Sequence, residues 1–268
     1  MQPKIVFSDI DGTLLNNKRL LSEATISQFK RIKAYTPIVL ISSRMPNAMV
    51  HLQKMASISH FPIIAYNGGL IIVNDEIVSS TEIKGSILQE IISFNKQTDV
   101  HLSLYNHNHW YVPQMDYWAK REISNTKTTP EILINDQVAS RWKAEQKGAH
   151  KIMCMGNVDA IDKLYHFLHQ NYSNKLHLYR SKETYIEIAP AEISKKTAIQ
   201  FLLNRVYTNF SFKDVAAFGD NFNDIEMLDA AGFGVAVANA KKEVLAVSKY
   251  TTLAGTNDGV AHFIKNYI

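Results

Sequence analysis

Lys4-Ile5-Val6-Phe7-Ser8-Asp9-Ile10-Asp11-Gly12-Thr13-Leu14 is the stretch on which the reading of the fold turns. Its apolar run is continuous rather than alternating, which is the pattern of a strand buried on both faces in a parallel sheet covered by helices. Two carboxylates separated by one residue leave the end of that strand together, one able to attack as a nucleophile and the other able to transfer a proton. Gly12 permits the tight backbone path that brings amide N–H groups toward an anion. A turn that merely ends a strand is the ordinary explanation of an isolated Asp-x-Asp. The Gly-Thr-Leu that follows, and a partner segment downstream, tell against it here.

Four further runs have the same continuous character: Ile38 to Ser42, Ile63 to Tyr66, Val215 to Gly219 and Gly234 to Val237. Between the run ending at Ser8 and the run starting at Ile38, Ala24, Ile26, Phe29 and Ile32 fall at helical spacing behind Ser22 as N-cap, so the opening reads as β-α-β. The first four of the five runs end in polar residues: Asp9, then Ser42-Ser43-Arg44, then Asn67-Gly68-Gly69, then Asp220. Ligands bind beyond the carboxyl ends of strands in open α/β sheets, so these residues are expected to share one crevice. Asn67, in a turn with two glycines, fits a tight-turn role as well as a role in the site.

The partner segment is Gly219-Asp220-Asn221-Phe222-Asn223-Asp224-Ile225-Glu226-Met227-Leu228, again at a strand end and running into a helix. Magnesium prefers oxygen ligands and usually binds through one or two carboxylates, with phosphate and water completing its shell. Asp9 with Asp220 meets that need. Asp224, four residues on, can orient a ligand from outside the shell or simply favour the helix N-terminus by its charge.

These two segments resemble motifs one and four of the haloacid dehalogenase superfamily, and the whole chain resembles its Cof-type phosphatases. The resemblance implies a Rossmann-like α/β core with an inserted α+β cap. It makes Asp9 the nucleophile and Asp11 the general acid/base, with Mg2+ held by the Asp9 carboxylate, the Asp11 backbone carbonyl and Asp220. Family members carry Thr-Gly-Arg or similar at the end of the next core strand; the matching residues are Ser42, Ser43 and Arg44, of which Ser42 keeps the hydroxyl and Ser43 replaces the usual Gly. Ile193-Ser194-Lys195-Lys196 resembles the segment that presents the phosphate-binding lysine, which places that role on Lys195, with Lys196 standing where Gly is common. Asn223, and the Asn67-Gly68-Gly69 turn, resemble family positions near the phosphate. The amides near Ile10 and Ser43 would join Lys195 and Ser42 around the phosphoryl oxygens. Transport ATPases of this chemistry place Lys directly after the nucleophile and Thr two residues after it; Ile10 and Asp11 stand there in this chain, and a built-in base favours hydrolysis.

Domain organisation follows from counting. The 31 positions from Asp11 to Ser42 hold one connecting helix, whereas the 151 from Arg44 to Lys195 leave room for a separate domain. A helical stretch at Ser86 to Asn95 with strand-like runs at His101 to Tyr105 and Trp110 to Val112 is followed by a second such unit. That one comprises Lys151 to Met155, a helix over Asp159 to Gln170, and strands at Leu176 to Tyr179 and Tyr185 to Ile188. Helix with paired strands, repeated, reads as an α+β module with an antiparallel sheet. The expected core is 1–80 and 189–268, with 81–188 a C2 (type IIB) cap that governs substrate specificity by the same resemblance. Tyr105 to Tyr111 has the polar and aromatic character of a sugar-binding surface, though the alternation from Leu104 to Val112 equally fits a hairpin with an exposed face. His101, His107 and His109 lack a second ligand group at matching spacing, and no zinc site is assigned to them.

With 46% hydrophobic and 20% charged residues the chain has an ordinary globular composition, which excludes a disordered or fibrous class. The net charge of +4 is spread over scattered lysines and arginines, which suits an anionic small molecule and gives no support for nucleic acid. One cysteine, Cys154, excludes an internal disulfide; with no apolar stretch long enough for a membrane and no signal peptide, the expectation is a cytoplasmic chain. The expected activity is a magnesium-dependent phosphatase acting on a small phosphorylated metabolite, a sugar phosphate or similar, through an aspartyl-phosphate. A phosphotransferase or mutase using the same intermediate is the alternative, and a non-catalytic phosphometabolite-binding regulator is a third reading. The sequence names neither the substrate nor the oligomeric state.

Overall fold

A computed structural model describes residues 2–268. The chain divides into two compact units, one running up to Val78 and resuming over Ser194–Ile268, the other Ser79–Ile193. In chain order the first unit contains β1 (Ile5–Ser8), α1 (Glu23–Ile32), β2 (Ile38–Ile41), α2 (Asn47–Ala56), β3 (Ile63–Ala65) and β4 (Leu70–Val73), with β5 (Glu76–Ser80) at the passage to the second. The second contains α3 (Gly85–Asn95), β6 (His101–Asn106), β7 (His109–Val112), α4 (Tyr117–Thr126), β8 (Glu131–Ile132) and α5 (Asn135–Ala144), then β9 (Lys151–Met155), α6 (Val158–Tyr172), β10 (Leu176–Lys182) and β11 (Tyr185–Pro190). The first unit resumes with α7 (Lys195–Arg205), β12 (Val215–Gly219), α8 (Ile225–Ala230), β13 (Phe233–Val237), α9 (Lys242–Val247), β14 (Tyr250–Thr252) and α10 (Gly259–Tyr267).

All five continuous apolar runs are strands of one eight-stranded sheet, ordered β14-β13-β12-β1-β2-β3-β4-β5. Pairing is parallel from β14 through β3, and antiparallel between β3 and β4. Every residue of β1, β2, β12 and β13 is buried, as strands covered on both faces require. The α/β class expected from the sequence is therefore the one found. Ser22 caps α1 by accepting from the Thr25 N–H at 3.1 Å, where the sequence placed a cap. One core packs Ile5, Phe7, Val39 and Ile41 of the sheet against Ile199 and Leu202 of α7 and Met227 and Leu228 of α8.

The second unit is a six-stranded sheet ordered β10-β11-β9-β6-β7-β8, antiparallel except for β7 with β8. Its core joins Leu102, Leu104, Ile152 and Ile188 to Ile91 of α3, Trp142 of α5 and Leu164 of α6. The strands and helices read from the sequence occur, and α4, α5 and β8 were not anticipated. Residues 104–112 do form a hairpin, with Tyr105 opposite Trp110. The exposed face allowed for is not found, because Tyr105, Trp110 and Tyr111 are all buried and only His109 is exposed. Among the described residues no helix is long and apolar enough to cross a membrane.

Phe7 is fully buried in the middle of β1. Phe7→Ala is expected to destabilise the chain by about 3–5 kcal/mol, the cost of a large-to-small change in a packed core; urea unfolding followed by circular dichroism measures it.

Candidate active site

The parallel pairing of β1 with β12, Ser8 opposite Phe218, brings the ends of these two strands side by side. Asp9 N–H donates to Phe218 C=O at 3.0 Å, so the residue after β1 is fixed directly beside the segment that leads to Asp220. Carboxylate oxygens of Asp9, Asp220 and Asp224 lie within 4.8 Å of one another. Lys195 is the first residue of α7, whose N-terminus is closed by a capping box of Ser194 and Thr197. Its side chain is fully buried, and Nζ donates to Asp9 Oδ1 at 2.5 Å and to Asp224 Oδ1 at 2.6 Å. Asp9 Oδ2 accepts no hydrogen bond from the protein among the described residues.

Backbone geometry makes room for this crowd. Gly12 has φ +85°, and a Cβ there would fall 2.3 Å from Asp220 Oδ2, so both its conformation and its missing side chain are required. Thr13 Oγ1 donates to Asp220 Oδ1 at 3.1 Å. Asp224 Oδ2 accepts the Asp220 and Asn221 N–H groups at 2.9 and 3.0 Å, tying the turn after β12 into one shape. Asp224 thus has both oxygens occupied by the protein, which suits an orienting part more than a ligating one.

The Asp11 side chain points elsewhere. Arg44 forks onto it, Nε to Oδ2 at 2.7 Å and Nη2 to Oδ1 at 2.8 Å, and Arg19 Nη2 adds a third bond at 3.1 Å. The Arg44 side chain is 4% exposed and that of Asp11 38%, so the fork is built from the protein side and Asp11 borders solvent. Such a bidentate pair fixes the plane of a carboxylate as well as its position.

Ser42 and Asn67 follow β2 and β3 and are buried. Ser42 Oγ accepts from Arg44 N–H at 3.2 Å, and Ser42 C=O accepts from Asn67 N–H at 2.8 Å. Asn223 Nδ2 donates to Asn67 Oδ1 at 3.1 Å, so two segments 156 residues apart meet at one amide pair. Ser43 is half-buried beside Ser42. The Ile10 side chain is fully buried, which leaves that residue only its backbone to offer a ligand.

Two residues of this region escaped the sequence reading. Arg19 lies in an irregular segment with φ +59°, where no periodicity links it to Asp11. Asn239 donates from Nδ2 to Gly12 C=O at 2.9 Å and accepts from Gly255 N–H at 2.8 Å, bracing the loop after β1 from the far side of the sheet order. A lone Asn after a strand carries no signal for that contact.

The profile of the haloacid dehalogenase-like hydrolase family matches residues 6–264. The chain belongs to the haloacid dehalogenase-like hydrolases. A Haemophilus influenzae protein named "Putative phosphatase" is 31% identical to this hydrolase over 268 residues, with 97% of each chain covered. The 5-amino-6-(5-phospho-D-ribitylamino)uracil phosphatase of Bacillus subtilis is 24% identical, with 99% of this chain and 98% of the relative covered. A haloacid dehalogenase-like hydrolase from Bacteroides thetaiotaomicron superposes with a TM-score of 0.89 over 100% of both chains at 23% identity, a likeness of fold. The resemblance read from the two motifs is thus the family to which the chain belongs, and the chain is an enzyme of its phosphatase kind.

The electrostatics of this haloacid dehalogenase-like hydrolase test whether a metal fits. Three carboxylates share one ammonium, an excess of two negative charges in a largely buried space. Burial opposes the charge of Lys195, but Asp224 and Asp9 together outweigh it and raise its pKa above the ordinary lysine value. Asp9 is pushed up by burial, against Lys195 and with Asp224 and Asp220 adding to the rise. Burial, reinforced by Asp224, pushes Asp220 up to about 6, against the Thr13 hydrogen bond and Lys195. Hard oxygen donors with uncompensated negative charge fit a divalent cation.

In the metal-free protein burial holds the Asp220 carboxyl up at about 6 in the folded state, against the ordinary aspartate value of about 4 when unfolded. Between those values the folded state binds more protons, so stability falls as pH rises from about 4 to about 6. Thermal melts in chelator are expected to show that fall. At pH 7, Asp220→Asn is expected to raise the metal-free melting temperature and to blunt the response to added Mg2+; a response equal to wild type would remove Asp220 from the cation site.

Proposed function

We propose that the chain is a magnesium-dependent phosphatase that hydrolyses a small phosphorylated metabolite, a sugar phosphate or similar, through an aspartyl-phosphate on Asp9. The observation that carries this reading is the buried Lys195 ammonium bridging Asp9 Oδ1 and Asp224 Oδ1 beside Asp220, with Asp9 Oδ2 accepting no hydrogen bond among the described residues. Binding of a phosphate alone needs no such nucleophile, which favours catalysis over a regulator.

Asp9 Oδ2 attacks phosphorus in line with the leaving oxygen. The bond to that oxygen breaks, its electron pair stays with the departing alkoxide, and Asp11 gives the alkoxide a proton. Asp11, now ionised, takes a proton from water as the water oxygen attacks the phosphorus of the aspartyl-phosphate. The bond to Asp9 breaks, inorganic phosphate leaves, and both aspartates return to their starting states. Asp9, Asp220 and the Asp11 backbone carbonyl would hold the magnesium ion, which supplies positive charge to the phosphoryl oxygens when bound. Lys195, Ser42, Asn223 and the amides of Ile10 and Ser43 supply fixed donors to the same oxygens. Both Asp11 oxygens accept guanidinium N–H groups from Arg44 and Arg19 in this structure, so the proton-transfer steps require the carboxyl group to turn out of that fork toward the leaving oxygen.

We assign residues 79–193 the part of a specificity cap. Relatives matching nearly the full length of this chain bear names for unlike substrates, such as the HMP-PP phosphatase of Enterobacter and the ribitylaminouracil phosphatase of Bacillus subtilis. A shared core with a variable second domain accounts for that spread. The absence of a needed disulfide, with Cys154 buried and its thiol pKa raised by burial, is compatible with a cytoplasmic setting.

Phosphate release from a panel of sugar, nucleotide and coenzyme phosphates tests the reading, run with Mg2+ and with chelator. Release is expected only with Mg2+, and Asp9→Asn is expected to lower it by roughly three orders of magnitude or more with an unchanged circular dichroism spectrum. Wild-type rates in Asp9→Asn would take the nucleophile role from Asp9.

A further inference from the structure

The turn after β3 is strained. Tyr66, Asn67 and Gly68 all have positive φ, at 54°, 55° and 110°. Left-handed backbone is uncommon for any residue with a side chain and an outlier for a bulky one. Two such residues in succession, both buried, persist only where surrounding contacts hold them. Those contacts are specific. Tyr66 N–H donates to Arg44 C=O at 3.1 Å and Asn67 N–H to Ser42 C=O at 2.8 Å, which fastens the turn to the loop after β2. Gly68 lies where a Cβ would come 2.8 Å from Ser194 C=O and 3.0 Å from Ala198 Cβ, so the turn is pressed against the start of α7, the helix that presents Lys195. The Asn67 side chain takes the Asn223 amide at 3.1 Å.

One short turn therefore touches each of the three segments that carry Ser42, Lys195 and Asn223. A tight turn that only reverses the chain needs neither the left-handed tyrosine nor the buried carboxamide facing Asn223. We propose that Asn67 is a positioning residue: its Oδ1 fixes the Asn223 carboxamide, and the strained turn around it sets the spacing of the phosphate-binding donors. The inference rests on the phosphatase reading for the part Asn223 plays. By this account Asn67 touches no substrate and acts through Asn223.

The test is a double-mutant cycle on Asn67→Ala and Asn223→Ala. It is read in two ways: kcat/KM for p-nitrophenyl phosphate with Mg2+, and the affinity of inorganic phosphate by calorimetry. Each single change is expected to cost about tenfold in both, the scale of one hydrogen bond lost, and the double variant to be no worse than Asn223→Ala alone. Asn67→Gly separates positioning from folding, because glycine keeps the left-handed backbone that alanine resists while removing the carboxamide. Its melting temperature is expected to exceed that of Asn67→Ala while phosphate affinity falls to the same extent. Asn67 variants within about twofold of wild type, or a double variant whose loss is the product of the two single losses, would overturn the inference. A wild type that binds phosphate but hydrolyses no monoester would defeat the phosphatase reading and leave the cycle to be decided on phosphate affinity. A wild type that does not bind phosphate overturns both.

Discussion

The rest of the catalytic unit depends on a shortage of positive charge around Lys195. Its ammonium is buried between Asp9 and Asp224, with Asp220 close by, and cannot neutralise all three. A buried charge without compensation is costly, so the arrangement survives only because the backbone leaves the carboxylates no other place to go. Parallel pairing of β1 with β12 fixes Asp9 beside the segment leading to Asp220, and the two amides received by Asp224 lock the turn that carries them both. The same shortage makes the cluster receptive to a divalent cation.

Around this centre the structure treats its two signature aspartates differently. Asp9 is enclosed and paired with a lysine, while Asp11 stands at the border with solvent, gripped by Arg44 and Arg19. Under the proposed mechanism, enclosure suits a nucleophile that must attack without competition from water, and a border position suits a group that must exchange protons with a leaving group and then with water. One intervening residue, Ile10, is enough to send the two side chains into these opposite settings, because successive side chains leaving a strand are aimed independently once the chain turns.

Much of this was legible in the sequence. Strands buried on both faces write themselves as unbroken apolar runs, and all five such runs proved to be strands of one sheet. Ser22 announced its helix by an ordinary cap. In the second unit three elements gave no comparable signal: α4 buries only Ala119 and Thr126, α5 only Val138, Ala139 and Trp142, and β8 is only Glu131–Ile132. In the site, residues inside contiguous motifs could be named, since strand ends and helix starts carry them. Arg19 and Asn239 could not, because each reaches its partner through a loop whose path is set by tertiary packing and not by local preference. The hairpin at 104–112 shows the limit from another side: alternation gave its strands correctly, but burial of both faces was invisible in it.

The chain re-enters the catalytic unit at Ser194, and Ser194 is also the residue that caps the helix beginning with Lys195. The seam between the two units therefore lies one peptide bond from the central ammonium. The inserted unit, residues 79–193, thus rejoins the chain at the residue that fixes how α7 begins. A residue added or removed between Lys195 and the packed body of α7 would turn Lys195 about the helix axis by roughly 100° and empty the space between Asp9 and Asp224.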